Sequence, residues 1–152
     1  EATQNAFKGD WYCTGDVGRQ DPKSGAFFYV DRKRDAVRFG GRNISTLEVE
    51  SVARRFRGIA DVAAYGISHP DVPEEQELAL AIVVAAGESL DFEALCGFLN
   101  QNAPYYFVPR YIRIVASLPY TPTNKVQKFQ LRDDGVTSDT WDLTQSGYTV
   151  KR

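Results

Sequence analysis

Ala36-Val37-Arg38-Phe39-Gly40-Gly41, running on to Ser45-Thr46-Leu47-Glu48, holds a strand, a break and a helix start in one short stretch. Branched and aromatic residues favour the pleated backbone, and paired glycines allow the turn that ends it. Ser45 and Glu48 stand in capping-box spacing, each able to satisfy an amide left free at a helix N-terminus. Val49, Val52, Ala53 and Phe56 follow at i, i+3, i+4 and i+7, which predicts a helix with one apolar face. Gly58 is placed to end it in a left-handed cap. The Gly40-Gly41 pair would also let a ligand approach the backbone closely, although an ordinary hairpin turn explains it equally well.

Downstream, residues 59–67 and 77–86 read as buried strands joined by the acidic loop His69-Pro70-Asp71-Val72-Pro73-Glu74-Glu75. Asp91 caps a second helix, with Leu90 and Leu95 spaced as a hydrophobic staple. Its apolar stripe is Phe92, Leu95, Cys96 and Leu99. Pro104 and Pro109 bound the aromatic turn Tyr105-Tyr106-Phe107, and residues 111–116 form a third strand. Residues 126–131 read as a short helix or a docking segment. The expected fold is α+β: a three-stranded sheet, a short two-stranded hairpin and flanking helices, over residues 34–132. Upstream, residues 16–19 and 25–30 form a hairpin across Asp21-Pro22-Lys23-Ser24-Gly25. Two short strands are not stable alone, so residues 1–33 read as the edge of a larger unit. Residues 133–152 are a polar tail with Trp141 and Tyr148 as anchors.

The chain has 152 residues, 43% of them apolar, enough for one core, and a net charge of −2. That charge, with a pI near 5.4, argues against nucleic acid or an anionic membrane as partner. No apolar run approaches a membrane span. Cys13 and Cys96 lack metal-ligand spacing and read as free thiols in a reducing, cytoplasmic setting. The chain contains no methionine and starts at Glu1, so we expect a piece of a longer protein.

The chemistry-bearing residues are scattered. Thr121-Pro122-Thr123-Asn124-Lys125 is a stiff turn ending in a lysine, which can deliver a point charge to a phosphate or carboxylate. Asn124 tolerates the left-handed conformation that would aim it. In Thr14-Gly15-Asp16, the carboxylate can accept both hydrogen bonds of a vicinal diol, or simply bond its own turn. Arg32, within Asp31-Arg32-Lys33-Arg34-Asp35, can read ribose or phosphate oxygens, or belong to an exposed charged linker. His69, the only histidine, has no nucleophile or triad partner and reads as a loop residue. No metal-ligand cluster is visible. Arg54, Arg55 and Arg57, and likewise Glu74, Glu75 and Glu77, read as solvated faces.

Taken in order, Trp11-Tyr12-Cys13-Thr14-Gly15-Asp16, Asp31-Arg32-Lys33-Arg34-Asp35, Gly40-Gly41-Arg42-Asn43-Ile44, and Leu118-Pro119-Tyr120-Thr121-Pro122-Thr123-Asn124-Lys125 resemble the C-terminal part of the adenylate-forming superfamily. That superfamily holds acyl-CoA synthetases, luciferases and peptide-synthetase adenylation domains. The resemblance covers nearly the whole chain. Gly-Gly-x-Asn-Ile looks like the acyl-CoA ligase branch, and residues 104–110 with Trp141 look most like carnitine- or crotonobetaine-CoA ligase relatives. The resemblance implies a small mobile C-terminal domain of an ATP-dependent acid–CoA ligase, which adenylates a carboxylate and passes the acyl group to CoA. It implies Lys125 as the adenylation lysine, Asp16 and Arg32 as nucleotide-binding residues, Arg34 at the hinge, and Gly40 and Gly41 beside the pantetheine of CoA. ATP, CoA and Mg2+ would be held mainly by the chain's own N-terminal domain, whose phosphate loop and acyl pocket match nothing here. The 152 residues alone are therefore expected to be inactive, with solvent around Lys125. The same resemblance admits an adenylation domain serving a carrier protein, or a non-catalytic binding module that reuses the domain. Two positions depart from the family pattern: Asn124 stands where Gly usually precedes the lysine, and Arg34 where the hinge is usually Asp or Lys.

Overall fold

A computed structural model describes residues 6–152. Its centre is a four-stranded sheet with the spatial order Trp141–Asp142 (β10), Tyr111–Ile114 (β9), Gln76–Val84 (β8), Ile59–Ser68 (β7). β7 and β8 form a long antiparallel hairpin. β9 runs parallel to β8, and β10 closes the edge antiparallel to β9. Alternation along these strands splits the buried side chains between two faces. Val62, Ala64, Leu78, Leu80, Ile82 and Ile112 join one cluster, with Val49 and Ala53 of α1 (Thr46–Ala53) and Leu95 and Leu99 of α2 (Phe92–Asn102). Ala63, Tyr65, Ala79, Ala81 and Tyr111 join a second, with Leu118 and with Leu131 of α3 (Lys128–Asp134). Helices therefore cover both faces.

The helix starts form as the spacing predicts. Ser45 Oγ accepts from the Glu48 amide at 3.4 Å and Asp91 Oδ1 from the Ala94 amide at 3.0 Å, contacts worth about 1 kcal/mol each. α1 ends at Ala53. Phe56 packs on the core from the turn beyond it, and Gly58 there has φ +91°. Gly40 and Gly41, at φ 55° and 72°, turn β5 (Val37–Phe39) into β6 (Arg42–Ile44). Two further ribbons precede them. β1 (Phe7–Lys8) pairs with β2 (Trp11–Tyr12), and β3 (Asp16–Gln20) pairs with β4 (Phe27–Arg32). Residues 1–5, at the start of the segment read as a domain edge, lie outside the described residues.

The sheet has one strand more than expected, and it comes from the tail. Trp141 sits opposite Ile112 in register, Leu143 N–H donates to the Arg110 carbonyl at 2.8 Å, and the Trp141 ring lies 5.5 Å from Phe92. Tyr148 is the second anchor, packing on the core while its hydroxyl bonds Asn100 Oδ1 at 3.2 Å. The short helix expected over 126–131 forms two residues later, as α3. Glu77 is not on a solvated face. It is buried, 2.9 Å from Arg110 Nη1 and 3.2 Å from His69 Nε2. His69 is thus a loop residue with a partner, its Nδ1 accepting from the Asp71 and Val72 amides at 3.1 Å each. Arg54, Arg55 and Arg57 stay exposed as expected, Arg54 while reaching Asp61 at 3.3 Å and the Val62 carbonyl at 3.1 Å.

Candidate functional site

The loop after β9 turns sharply before Lys125. The Asn124 amide donates to the Thr121 carbonyl at 2.9 Å, the Thr121 amide to the Lys125 carbonyl at 2.8 Å, and the Lys125 amide to Thr121 Oγ1 at 3.0 Å. Pro122 occupies the second position of this turn, where its fixed φ is favoured. Asn124 adopts φ 58°, the left-handed conformation that Asn tolerates better than other branched or bulky side chains. The result is an exposed lysine on a braced turn.

Asp16 and Arg32 face each other across the β3–β4 ribbon, 3.9 Å apart, and each is about two-fifths exposed, at 42% and 43%. The Asp16 carboxylate is thus turned toward Arg32 and partly open, rather than folded onto its own turn. Arg34 is exposed and makes no ion pair among the described residues. Asp16, Arg32, Arg34 and Lys125 line one cleft of about 660 Å³, with Tyr29 and Phe129 as apolar wall. The surroundings of Lys125 are therefore not plain solvent. Five cations and four carboxylates line the cleft. Lys128 pairs with Glu50, Arg132 with Asp35 and Arg32 loosely with Asp16, while Asp31 is held by Thr46. This leaves Arg34 and Lys125 exposed beside the Asp16–Arg32 pair, a set suited to a polyanion that carries a diol. Among the described residues no three His, Cys, Asp or Glu side chains converge on a cation site, so no residue here is assigned to Mg2+.

Beneath the cleft lies a buried polar node. Asp31 Oδ2 accepts from the Thr46 amide at 2.7 Å and from Thr46 Oγ1 at 2.8 Å. Lys128 Nζ lies 2.7 Å from Thr46 Oγ1 and 2.8 Å from Glu50 Oε1, which in turn accepts from the Ala64 amide at 2.9 Å. Asp31, Thr46, Glu50 and Lys128 are all under one-tenth exposed. None of the four stood out as a site residue in the sequence. The readable signal is Glu50, a charge between Val49 and Ala53 on the stripe that should be apolar.

Gly40 and Gly41 do not line this cleft. Their amides donate to the Glu75 carboxylate at 2.7 and 3.2 Å. Glu75, expected on a solvated face, thus clamps the turn with a charge-assisted pair of bonds.

The model of the AMP-binding enzyme C-terminal domain family matches residues 48–125. A crotonobetaine/carnitine–CoA ligase of Proteus mirabilis is 35% identical over 133 residues, covering 87% of this chain and 25% of that protein. A long-chain-fatty-acid–CoA ligase of Mycobacterium tuberculosis is 33% identical over 135 residues, covering 88% and 26%. Among solved structures, ATP-bound MatB from Rhodopseudomonas palustris superposes with TM-score 0.77 at 27% identity, covering 88% of this chain and 26% of that one. The anthranilate CoA ligase AuaEII in complex with anthranoyl-AMP gives 0.75 at 27%, covering 89% and 26%. The chain spans about a quarter of the length of the curated relatives it matches.

Proposed function

We propose that this chain, a member of the AMP-binding enzyme C-terminal domain family, is the lysine-bearing domain of an ATP-dependent acid–CoA ligase. The observation that carries the reading is the single cleft shared by Lys125, Asp16, Arg32 and Arg34. In the proposed reaction a carboxylate oxygen attacks the α-phosphorus of ATP, the bond to pyrophosphate breaks, and an acyl-adenylate forms. The Lys125 ammonium offsets the charge that builds on the carboxylate and α-phosphate oxygens. Asp16 accepts the ribose hydroxyls, and Arg32, held beside it, contacts the nucleotide. Arg34 is the pivot about which the domain turns for transfer to CoA, and Gly40-Gly41 faces the pantetheine in that second pose.

Residues 1–33 fit as the edge of a preceding domain. Trp11 and Phe27 are 80% and 78% exposed, and Phe7, Tyr12, Phe28 and Tyr29 also face outward. Such a run of aromatics on short ribbons calls for a covering partner, and the remaining three quarters of the relatives' length offers one.

The test uses the enzyme that contains this domain, with ATP and a panel of carboxylates including carnitine-like and long-chain acids. Lys125→Ala should lower acyl-adenylate formation by about 10²-fold or more. Thioester formation from supplied acyl-adenylate and CoA should stay within about threefold of the parent. Equal loss of both half-reactions would remove Lys125 from its role, and a parent enzyme that forms no adenylate would overturn the reading.

A further inference from the structure

One covalent turn carries the β3–β4 ribbon into the main unit. The Asp35 and Ala36 amides close it on the Arg32 carbonyl at 2.9 and 3.0 Å, and Lys33 and Arg34 between them are exposed. Asp31, the last buried residue on the ribbon side, reaches past this turn to Thr46, the first residue of α1. The hydrogen bonding there has one consistent direction. Thr46 Oγ1 gives its proton to Asp31, so the Lys128 ammonium must donate to that oxygen, and Lys128 also donates to Glu50. Ser45 Oγ adds a bond to the Val30 carbonyl at 3.2 Å, again across the turn. Two carboxylates, one ammonium and the amide-rich start of α1 balance each other out of water.

Lys128 stands three residues after Lys125 on the same segment. Its anchoring at the node fixes the base of the lysine turn relative to the ribbon that bears Asp16 and Arg32. Any swing about residues 32–35 must pull Asp31 from Thr46, which leaves a buried amide and hydroxyl short of a partner.

We propose that Asp31 and Lys128 are positioning residues. Through Thr46 they latch the domain in the pose that holds Lys125 over the Asp16–Arg32 cleft, and the latch opens when the domain turns. This rests on the adenylation reading above, and it adds a device that selects between the two poses. Neither side chain need touch the reacting atoms.

In the enzyme containing this domain, Asp31→Asn and Lys128→Met should each slow adenylation about tenfold or more, the equivalent of one charge-assisted hydrogen bond. Transfer to CoA from supplied acyl-adenylate should be unchanged or faster. Because both act through one node, the double variant should be little slower than the worse single. Thr46→Ser keeps the hydroxyl and should match the parent. Adenylation at the parental rate, or equal loss of both half-reactions, overturns the latch and leaves Lys125 untouched. A parent that makes no adenylate sinks the adenylation reading instead, and the second arm then decides the latch. That arm places spin labels at Ser24→Cys on the ribbon and Ser138→Cys on the main unit of the 152-residue chain, with Cys13→Ser. Cys96 stays unlabelled because burial pushes its thiol up to about 12. The parent should give one narrow distance, and Asp31→Asn a second population. A single distance in both, at unchanged circular dichroism, refutes the latch.

Discussion

Tyr120 donates its hydroxyl to the Asp61 carboxylate just before the turn that carries Lys125. Desolvation pushes Asp61 upward, but the Tyr120 hydroxyl, the Val62 amide and Arg54 together hold it below its ordinary 3.8. A carboxylate depressed in the folded state adds stability above its unfolded pKa and loses it as pH falls through the folded one. Tyr120→Phe should therefore cost about 1 kcal/mol near neutral pH. In urea melts at stepped pH, that gap from the parent should close below pH 3.8, and a gap constant down to the acid limit would contradict the assignment. Asn124 permits a second single-residue test. At φ 58°, glycine fits without strain, whereas a branched side chain costs about 1–2 kcal/mol. Asn124→Gly should melt within a few degrees of the parent and Asn124→Val clearly below it. If the two melt alike, the left-handed turn does not hold in solution.

Among the elements, β10 rests most on its neighbours. Trp141–Asp142 is too short to carry any periodicity, and its strand character comes from its pairing with Ile112 and Tyr111. Trp141→Ala should cost about 2 kcal/mol, less than a fully buried tryptophan because the ring is only partly covered. Native-state hydrogen exchange should speed at residues 110–114, and unchanged protection there would show that β10 does not close the sheet. The longer elements were legible because each repeats its signal. Val62 and Ala64 alternate with Ala63 and Tyr65, and Ser45 and Asp91 announce their helices. Glu75 and Glu77 were misread because their partners are distant in sequence. Glu77 meets Arg110, and Glu75 meets the amides of Gly40 and Gly41. Charge alone argues for solvent, and only the fold supplies the counter-charge that reverses it. The cleft itself was not legible: the order of Asp16, Arg32, Arg34 and Lys125 along the chain singled out the residues, but solvent was expected around Lys125, and only the fold brings the four to one cleft.

For the whole molecule, every residue of both core clusters lies at or beyond Val37, so the upstream ribbons add no apolar core. They add Asp31. Removing residues 1–15 should leave the melting temperature within about 2 °C, since residues 7–15 are exposed and belong to neither the core nor the node. Removing residues 1–33 should still give a cooperative fold, because the sheet, α1, α2 and α3 are intact and Lys128 keeps Glu50. It should be weaker by about 1–3 kcal/mol, the cost of leaving the Thr46 amide and hydroxyl without the Asp31 carboxylate. Both truncations strip the exposed Trp11 and Tyr12, and only the longer one also removes Phe27, Phe28 and Tyr29, so any concentration-dependent self-association should fall stepwise from the full chain to the shortest. Sedimentation and thermal melts on the three lengths measure this. A shorter chain that fails to fold would place residues 16–33 inside the same cooperative unit as the sheet, and the boundary proposed at residue 33 would have to move upstream.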